Sequence, residues 1–276
     1  MATRRLADIM LPRPLRRIVA SAHRGAELGQ QRVFERWMGV STSGNVYHPD
    51  GVAQTDRVFY AGSQWIPVRR SLRRLGRTPR DAFVDLGAGK GQALLIAARL
   101  RYRRVIGIEF APELAEAATK NVTSARSRLR VPMVEVVTQD ALEWRPREDV
   151  SVVFMYCPFV GQLFHDVVPR VFESYDRRPR ELFIVYCFPF EHDWLLSTGR
   201  VRVENVLPAR WPTVPGWWQT SWVIVTYRVV GPGASDLTPV QLRKLRSKAA
   251  GKFWSRPNGH RFWVGEPDRE KVYSDA

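Results

Sequence analysis

A glycine-rich turn between an apolar strand and an apolar helix is the feature that most constrains this sequence. It lies in FVDLGAGKGQALLIAA, residues 83–98, where Asp85 is followed by glycines at 87, 89 and 91. Glycine adopts backbone conformations that other residues avoid, and it lets the main chain approach a ligand closely. In open α/β sheets such turns lie at the carboxyl ends of parallel strands, where ligands bind. The sequence therefore predicts a ligand crevice at this turn.

Short β-branched runs alternate with longer helical segments after residue 81, which predicts a parallel sheet with helices on both faces. The last two runs are joined by a loop rich in Pro and Trp, so we expect them to form an antiparallel pair at one edge. The prediction is a doubly wound, seven-stranded α/β sheet with an antiparallel last strand. The predicted strands span residues 82–86, 104–109, 132–138, 150–156, 181–187, 201–206 and 221–230, and the predicted helices span 91–100, 112–127 and 160–175.

Two extensions flank this predicted domain, which we assign to residues 81–230. Residues 1–80 are predicted to form a basic N-terminal arm, with a helix over 15–37, an irregular polar stretch over 41–56 and a short helix over 66–75. Residues 231–276 are predicted to form a basic C-terminal extension, with a helix over 238–250 and then a partly mobile tail. The sequence thus indicates one domain with two appended segments.

The formal net charge of +16 comes mostly from arginine in the two extensions, whereas residues 81–230 are nearly neutral. One interpretation is that the extensions bind a polyanion, either nucleic acid, an acidic protein or anionic lipid. The other is that arginine is frequent only through compositional bias. Aromatic residues interleaved with basic ones over 211–222 and 253–263 suit base stacking, sugar packing or an anionic membrane interface, or else core packing.

The two cysteines, Cys157 and Cys187, lie inside apolar runs, a pattern that indicates neither a disulfide framework nor a metal site. No run approaches the roughly 20 apolar residues that span a bilayer. Arginines interrupt the N-terminal segment before an apolar run of the signal-peptide type develops. We therefore expect a cytoplasmic protein without a transmembrane segment or a metal.

The spacing of the glycines separates two classes of cofactor. It is G-x-G-x-G after an acid, whereas the dinucleotide fingerprint is G-x-G-x-x-G, which sets a pyrophosphate at a helix N-terminus. This favours S-adenosylmethionine, which has no phosphate, over NAD, although glycine turns also occur for structural reasons alone. The cofactor contacts predicted at the turn are Asp85, Gly87, Ala88, Gly89 and Gly91.

Acidic residues follow the next two predicted strands. Glu109, beside Phe110, ends the second strand, where a carboxylate accepts hydrogen bonds from the two hydroxyls of a ribose. Asp140 and Ala141 follow the third strand, where a side-chain acceptor and a backbone N–H would contact adenine. Asp140 alone is equally typical of a helix N-cap. Its register with Asp85 and Glu109 favours a ligand role.

These motifs carry a resemblance to bacterial class I S-adenosylmethionine-dependent methyltransferases, many of which have no assigned acceptor. The likeness rests on the G-K-G turn, the second strand VIGIEFAPEL and a fourth-strand loop, VVFMYCPFVG, and it runs from RWMGVSTSG at Arg36 to about Val206. It implies a Rossmann-like methyltransferase fold, S-adenosylmethionine as cofactor and transferase activity. The fourth-strand loop also resembles that of the non-SET nucleosomal lysine methyltransferases.

The resemblance places the methyl acceptor beside the loop after the fourth strand. Tyr156 there would border both cofactor and acceptor, and Cys157 stands where the relatives carry Asn, which argues against an amino acceptor. Tyr60 and Trp65 would cover the cofactor, unless they anchor the N-terminal arm. His192 is the candidate general base, with capping or packing as its alternative role.

Two hypotheses remain open. The first is an enzyme that transfers a methyl group to an oxygen or nitrogen nucleophile, with a small molecule slightly favoured over a protein lysine or a nucleic acid. The second is a non-catalytic module that keeps the fold and binds nucleic acid or an acidic partner through its basic extensions. An NAD-dependent enzyme is disfavoured by the glycine spacing.

Overall fold

A computed structural model describes residues 25, 28–44, 62–75, 81–208, 223–234, 252–255 and 261–264. Its centre is a seven-stranded sheet in the order β3-β2-β1-β4-β5-β7-β6. Strands β1 to β5 pair in parallel, and β7 is antiparallel to both β5 and β6. The strand bounds are β1 Ala82–Leu86, β2 Arg104–Glu109, β3 Met133–Thr138, β4 Val150–Met155, β5 Phe183–Cys187, β6 Val201–Pro208 and β7 Val223–Val229.

Helices cover both faces of the sheet. They are α1 over residues 28–38, α2 Trp65–Arg74, α3 Gln92–Ala97, α4 Pro112–Ser124, α5 Gly161–Arg177 and α6 His192–Ser197, with a 3-10 turn at Arg126–Arg128. Pro112 occupies the first turn of α4, where the missing N–H costs no intrahelical hydrogen bond. The central strands β1, β2, β4 and β5 are buried throughout, as expected for parallel strands covered on both sides.

The core therefore forms two layers. On one face, α5 packs Phe164, Val167 and Val171 against β1 and β4. On the other, α3 packs Leu94 and Ile96, and α2 packs Val68 and Leu72 against the same region. Helix α1 joins this second layer, where Phe34 and Met38 contact Leu95 and Val122. Because α1 and α2 share this core, part of the N-terminal arm is continuous with the domain.

Charged residues are unevenly divided between the two edges of the sheet. Arginine precedes the starts of β2, β3 and β5, at positions 101 and 103, 126 to 130, and 177 to 180. These arginines outnumber the carboxylates at the same amino edge, which are Asp81, Glu148, Asp149 and Glu181. The opposite, carboxyl edge carries Asp85, Glu109, Asp140 and Glu191 together with one lysine, Lys90. The net charge of residues 81–230 is thus nearly zero, although positive and negative residues are divided unevenly between the two edges of the sheet.

The predicted fold class is confirmed, and the differences lie at element boundaries. Helix α3 ends at Ala97, and α4 ends at Ser124 before the 3-10 turn, so both are shorter than predicted. Helix α6 and a backbone-paired hairpin, β8 Lys252–Ser255 with β9 Arg261–Val264, were not predicted. The helix expected over 238–250, the aromatic loop over 211–222 and most of the stretch over 41–56 lie outside the described residues.

Within the described part of the chain, no helix combines the length and the apolar character needed to cross a bilayer.

Candidate functional site

The glycine turn after β1 has the backbone conformation that only glycine adopts readily. Gly87, Gly89 and Gly91 have φ values of 75°, 54° and 82°. The N–H groups of Gly87 and Ala88 donate to the Ile108 carbonyl over 2.9 and 3.1 Å. These bonds fasten the turn to β2, so its position relative to the end of β2 is fixed.

Glu109, the last residue of β2, is tied to the same turn. Its Oε2 accepts a hydrogen bond from the Gly89 N–H over 2.7 Å, and its Oε1 accepts one from the Ala111 N–H over 3.0 Å. The side chain is buried, with only 7% of the residue exposed. Each carboxylate oxygen has two lone pairs. The backbone bonds therefore orient the carboxylate and leave it acceptor capacity for the hydroxyls of a ligand.

Asp85 lies at the carboxyl end of β1, one residue before its last position, and is 2% exposed. Its Oδ1 has no hydrogen-bond partner among the described residues. Burial raises the Asp85 pKa well above its ordinary value, and the nearby Glu109 charge raises it further. A buried carboxylate without a partner is costly. Such a group is matched by a cationic or hydrogen-bond-donating ligand, and the aminoacyl ammonium of S-adenosylmethionine has that chemistry.

The loop after β4 packs directly on the glycine turn. A Cβ atom at Gly87 would lie 2.3 Å from the Cβ of Pro158. Cys157, beside this proline, has φ 50°, and Phe188, which follows β5, has φ 51°. Positive φ is unfavourable for residues with a side chain and concentrates at functional sites. The strained positions thus lie where two neighbouring parallel strands end at the carboxyl edge.

The predicted acceptor residues have different surroundings. Cys157 is 1% exposed, and its side chain belongs to the apolar core with Met155 and Tyr186. Tyr156 is half-buried, and its ring meets the Phe188 ring edge-on at 5.3 Å between centroids. Of these two side chains, only the tyrosine is partly exposed, and its hydroxyl oxygen is buried.

The residues proposed for adenine and ribose lie at the ends of β2 and β3. Asp140 Oδ1 accepts the Leu142 N–H over 2.9 Å, so this carboxylate does cap the short turn that follows β3. Ala141 is buried, and Phe110 is 44% exposed beside Glu109. Tyr60 lies outside the described residues, whereas the Trp65 ring packs on Phe34 of α1, as an anchor of the arm would.

His192 begins α6, where its Nδ1 lies 2.6 Å from the hydroxyl of Tyr227 in β7. Burial raises the Tyr227 pKa well above its usual range, and the Asp193 charge adds to this effect. The tyrosine therefore stays protonated, and its hydrogen bond with Nδ1 orients the imidazole. No cluster of three or more His, Cys, Asp or Glu suited to a metal occurs among the residues that the structure describes.

Residues 84–178, from β1 to the end of α5, match the family model described as a methyltransferase domain. The domain has the class I methyltransferase fold. Among solved structures, the chain is similar to an RNA methyltransferase from Salinibacter ruber in complex with S-adenosylhomocysteine, with 22% identity, 62% of this chain and 92% of that chain covered, and a TM-score of 0.41.

A TehB-like S-adenosylmethionine-dependent methyltransferase from Corynebacterium glutamicum shows 13% identity, covers 61% of this chain and 90% of its own, and has a TM-score of 0.43. A ribosomal protein L11 methylase from Lactobacillus delbrueckii subsp. bulgaricus shows 11% identity, 60% and 77% coverage, and a TM-score of 0.45. No curated protein matches the chain in sequence.

The sheet domain contains a histidine–carboxylate contact that the sequence did not indicate. His165 of α5 lies with its Nε2 3.2 Å from Oε2 of Glu191, and its ring stacks on Trp194 at 4.2 Å between centroids. The other oxygen of Glu191 accepts the Gly161 N–H at the start of α5. Glu191 thus joins the loops after β4 and β5. The 26-residue separation of His165 and Glu191 hid this partnership in the sequence.

A second network of hydrogen bonds joins the N-terminal segment to α1 and to the glycine turn after β1. Glu35 of α1 accepts hydrogen bonds from the Thr42 N–H over 2.6 Å and from the Ser43 N–H. Lys90, inside the glycine turn, donates to the Ser43 carbonyl over 2.9 Å. Asn121 of α4 donates to the Lys90 carbonyl over 2.9 Å. Residues 42 and 43 are therefore bound to α1 by Glu35, and Ser43 is bound to the turn by Lys90.

Proposed function

We propose that this protein binds S-adenosylmethionine at the carboxyl edge of its sheet and transfers the methyl group to an oxygen or nitrogen nucleophile. The observation that carries the proposal is the buried Asp85 carboxylate beside the glycine turn and Glu109. The site combines a buried carboxyl group whose Oδ1 has no partner among the described residues, acceptor oxygens suited to ribose hydroxyls, and glycines that let the backbone approach a ligand. When bound, the cofactor would supply an electrophilic methyl group on a sulfonium.

Each residue has a binding role in this proposal. Asp85 compensates the aminoacyl ammonium, because an isolated buried carboxylate is stabilised by a nearby positive charge. Glu109, held by two backbone N–H groups, accepts the ribose hydroxyls. Gly87, Ala88, Gly89 and Gly91 keep the wall of the crevice free of bulk. The adenosine is surrounded by Phe110, Asp140 and Ala141. Tyr60, which lies outside the described residues, completes this set.

Calorimetry tests cofactor binding directly. S-adenosylmethionine and S-adenosylhomocysteine should bind and raise the melting temperature, whereas NAD should do neither, because only binding to the folded state shifts the unfolding equilibrium. If neither S-adenosylmethionine nor S-adenosylhomocysteine gave a heat of binding, the proposal would lose its basis. Binding of NAD alone would assign the crevice to the dinucleotide class.

The acceptor is proposed to enter between Tyr156 and the α6 turn that carries His192. The buried Cys157 thiol gives this loop little polarity to hold an ammonium. Aromatic walls suit a flat or amphipathic molecule, so a small-molecule acceptor with a neutral or already ionised nucleophile fits best. The protein mainly aligns the acceptor and excludes water, and a base is needed only for a protonated nucleophile. A labelled-methyl screen of lysate fractions would identify it.

The same cysteine supports a second candidate, a cofactor-binding module without transfer activity. A loop that points an apolar thiol into the core lacks the side chain with which relatives are expected to hold an acceptor. In that case S-adenosylhomocysteine binds, but no lysate fraction accepts the methyl group. Cofactor binding together with labelling of any fraction excludes this alternative.

A further inference from the structure

Four arginines from three separate segments converge near the amino edge of the sheet. Arg99, just after α3, donates from Nη1 to the Arg128 carbonyl over 2.5 Å. The Arg130 N–H donates to the carbonyl of Ala98 over 2.8 Å. Helix α2, which carries Arg69, packs its apolar face into the core shared with α3. We call these four residues, Arg69, Arg99, Arg128 and Arg130, the arginine cluster.

The positive charge of the arginine cluster is not balanced locally. Among the described residues, none of the four forms an ion pair with a carboxylate. The four arginines lie in residues 62–75, 86–108 and 117–134, which contain no Asp or Glu. The acidic residues that directly flank these segments are Asp85, Glu109, Glu116 and Glu135. Burial lowers the Arg99 pKa, and repulsion from Arg130, Arg69 and Arg128 lowers it further. Like charges that are held close together repel one another, and a bound anion relieves that repulsion.

The cluster also has the geometry of a phosphate-binding surface. Arg69, Arg128 and Arg130 are exposed and come from different elements, so their guanidinium groups are spread over a surface. Arg99 lies over the ring of Trp37, 4.2 Å from its centroid. The tryptophan is 45% exposed and adds an aromatic surface beside the charges. Guanidinium groups bind phosphate oxygens in pairs, and aromatic rings stack on bases.

A membrane surface fits these residues less well. Interfacial helices insert an apolar face into the lipid and keep their basic face at the headgroups. Here the apolar face of α2 is buried in the protein core through Val68 and Leu72, both 0% exposed. The exposed face of the helix carries four arginines and one large apolar residue, Ile66, which is 45% exposed. The surface therefore favours an extended polyanion that is bound through its phosphates.

We propose that the arginine cluster binds the phosphodiester backbone of a nucleic acid. This site lies on the folded domain, at the edge opposite the proposed cofactor crevice, and is distinct from the basic extensions. It does not depend on methyl transfer. Because a nucleic acid bound here contacts the protein through charge, the logarithm of its affinity falls linearly as the logarithm of the salt concentration rises. The slope is about 0.9 for each phosphate contacted in a duplex and about 0.7 for each one in a single strand.

The test uses the full chain and fluorescein-labelled RNA of about two duplex turns, both double-stranded and single-stranded. Arg69→Gln, Arg128→Gln and Arg130→Gln are combined in one variant. The slope of log affinity against log salt for the duplex should fall by about 2.7, and affinity at about 0.1 M salt should fall at least about tenfold. A matched control combines Arg145→Gln, Arg178→Gln and Arg202→Gln, which removes equal charge from exposed arginines outside the cluster.

In the control variant, the slope of log affinity against log salt should differ from the wild-type slope by less than about 1. Equal losses in both variants would show that total charge alone governs binding and would overturn the proposal. It would also fail if the cluster variant kept RNA affinity but lost binding to vesicles of phosphatidylcholine and phosphatidylserine. Replacement of the three cluster arginines by Lys should restore most of the slope. The melting temperature of the Gln variant should not fall, because these substitutions relieve repulsion.

Discussion

The Gly89 N–H donates a hydrogen bond to the Glu109 carboxylate over 2.7 Å, which joins the glycine turn after β1 to the end of β2. The turn and the ribose-binding candidate are thus parts of one unit rather than two independent contacts. Any change of the carboxylate alters both the acceptor and the position of the turn.

Glu109→Ala should weaken binding of S-adenosylhomocysteine by about 1.5 to 3 kcal/mol, the usual contribution of hydrogen bonds to a charged acceptor. Calorimetry with the purified variant measures this loss. Glu116→Ala on the exposed side of α4 is the matched control and should bind like the wild type. Unchanged affinity for Glu109→Ala would refute its assignment to the ribose.

Gly87→Ala should destabilise the fold through two separate effects. An alanine at φ 75° costs about 1 to 2 kcal/mol, and its Cβ would overlap Pro158, which adds about 1 to 3 kcal/mol. Gly233 has the same φ of 75°, but a Cβ added there would have no neighbouring atom within 4 Å, so Gly233→Ala isolates the first effect. Denaturant unfolding should show the larger loss for Gly87→Ala. Equal losses would mean that the Pro158 contact relaxes freely.

Asp85→Asn should stabilise the ligand-free protein and weaken cofactor binding. Because the folded-state pKa is raised above its ordinary value of 3.8, the wild type loses stability as pH rises from that value to the folded-state pKa. The amide does not ionise, so the advantage of the variant should be smallest near the ordinary pKa of Asp and largest at neutral pH. Melting temperatures across the range from mildly acidic to neutral pH, with and without S-adenosylhomocysteine, measure both effects.

A control for the cofactor measurements is Asp166→Asn, on the exposed face of α5, which should leave the affinity for S-adenosylhomocysteine unchanged. If Asp85→Asn were less stable than the wild type at neutral pH, the carboxylate would have a partner in the ligand-free protein, and its proposed pairing with the cofactor would lose support.

Glu35→Ala should release residues 42 and 43 from α1 and lower the free energy of unfolding by about 1 to 3 kcal/mol. Burial opposes ionisation of Glu35, but hydrogen bonds from Gln31, Thr42 and Ser43 outweigh it and lower the pKa. The stabilisation by Glu35 is therefore fully present above its ordinary value of 4.5 and is lost as pH falls through the lowered pKa. Arg32→Ala, on an exposed part of the same helix, should change stability little.

Tyr156→Phe and His192→Ala should each reduce turnover of the identified acceptor and change cofactor affinity by less than about threefold, since their proposed contacts are to the acceptor. Tyr227→Phe serves as a comparison for His192, because it removes the hydrogen bond to Nδ1 and keeps the imidazole. Loss of turnover in Tyr227→Phe as well would indicate that the orientation of the ring matters. Normal turnover in both Tyr156→Phe and His192→Ala would place the acceptor elsewhere.

The sequence predicted the parts of the fold that local chemistry determines. The β1 turn was recognisable because three glycines separate an apolar strand from an apolar helix, and Pro112 marked the start of α4. Helix α6 was missed because six residues are too short to show a helical period. The hairpin of β8 and β9 was missed because Pro and Gly around it suggest irregular structure.

Side-chain partnerships were harder to predict because packing brings together residues that are far apart in sequence. Asp85 and Glu109 could be placed together, since neighbouring parallel strands end at the same edge. The pairing of His165 with Glu191 and the convergence of Arg69, Arg99 and Arg128 depend on how helices lie on the sheet. The nearly neutral sum over residues 81–230 also gave no sign of this convergence.

The uneven division of charge between the two edges of the sheet gives the domain a permanent electric dipole along the strands. Strands of about five or six residues separate the poles by about 17 to 20 Å. In the field of a polyanion, such a dipole turns the arginine edge inward and the Asp85 and Glu109 edge outward. A nucleic acid held this way would serve as an anchor, and the methyl group would face the surrounding solution, where an unbound small acceptor approaches without phosphate repulsion.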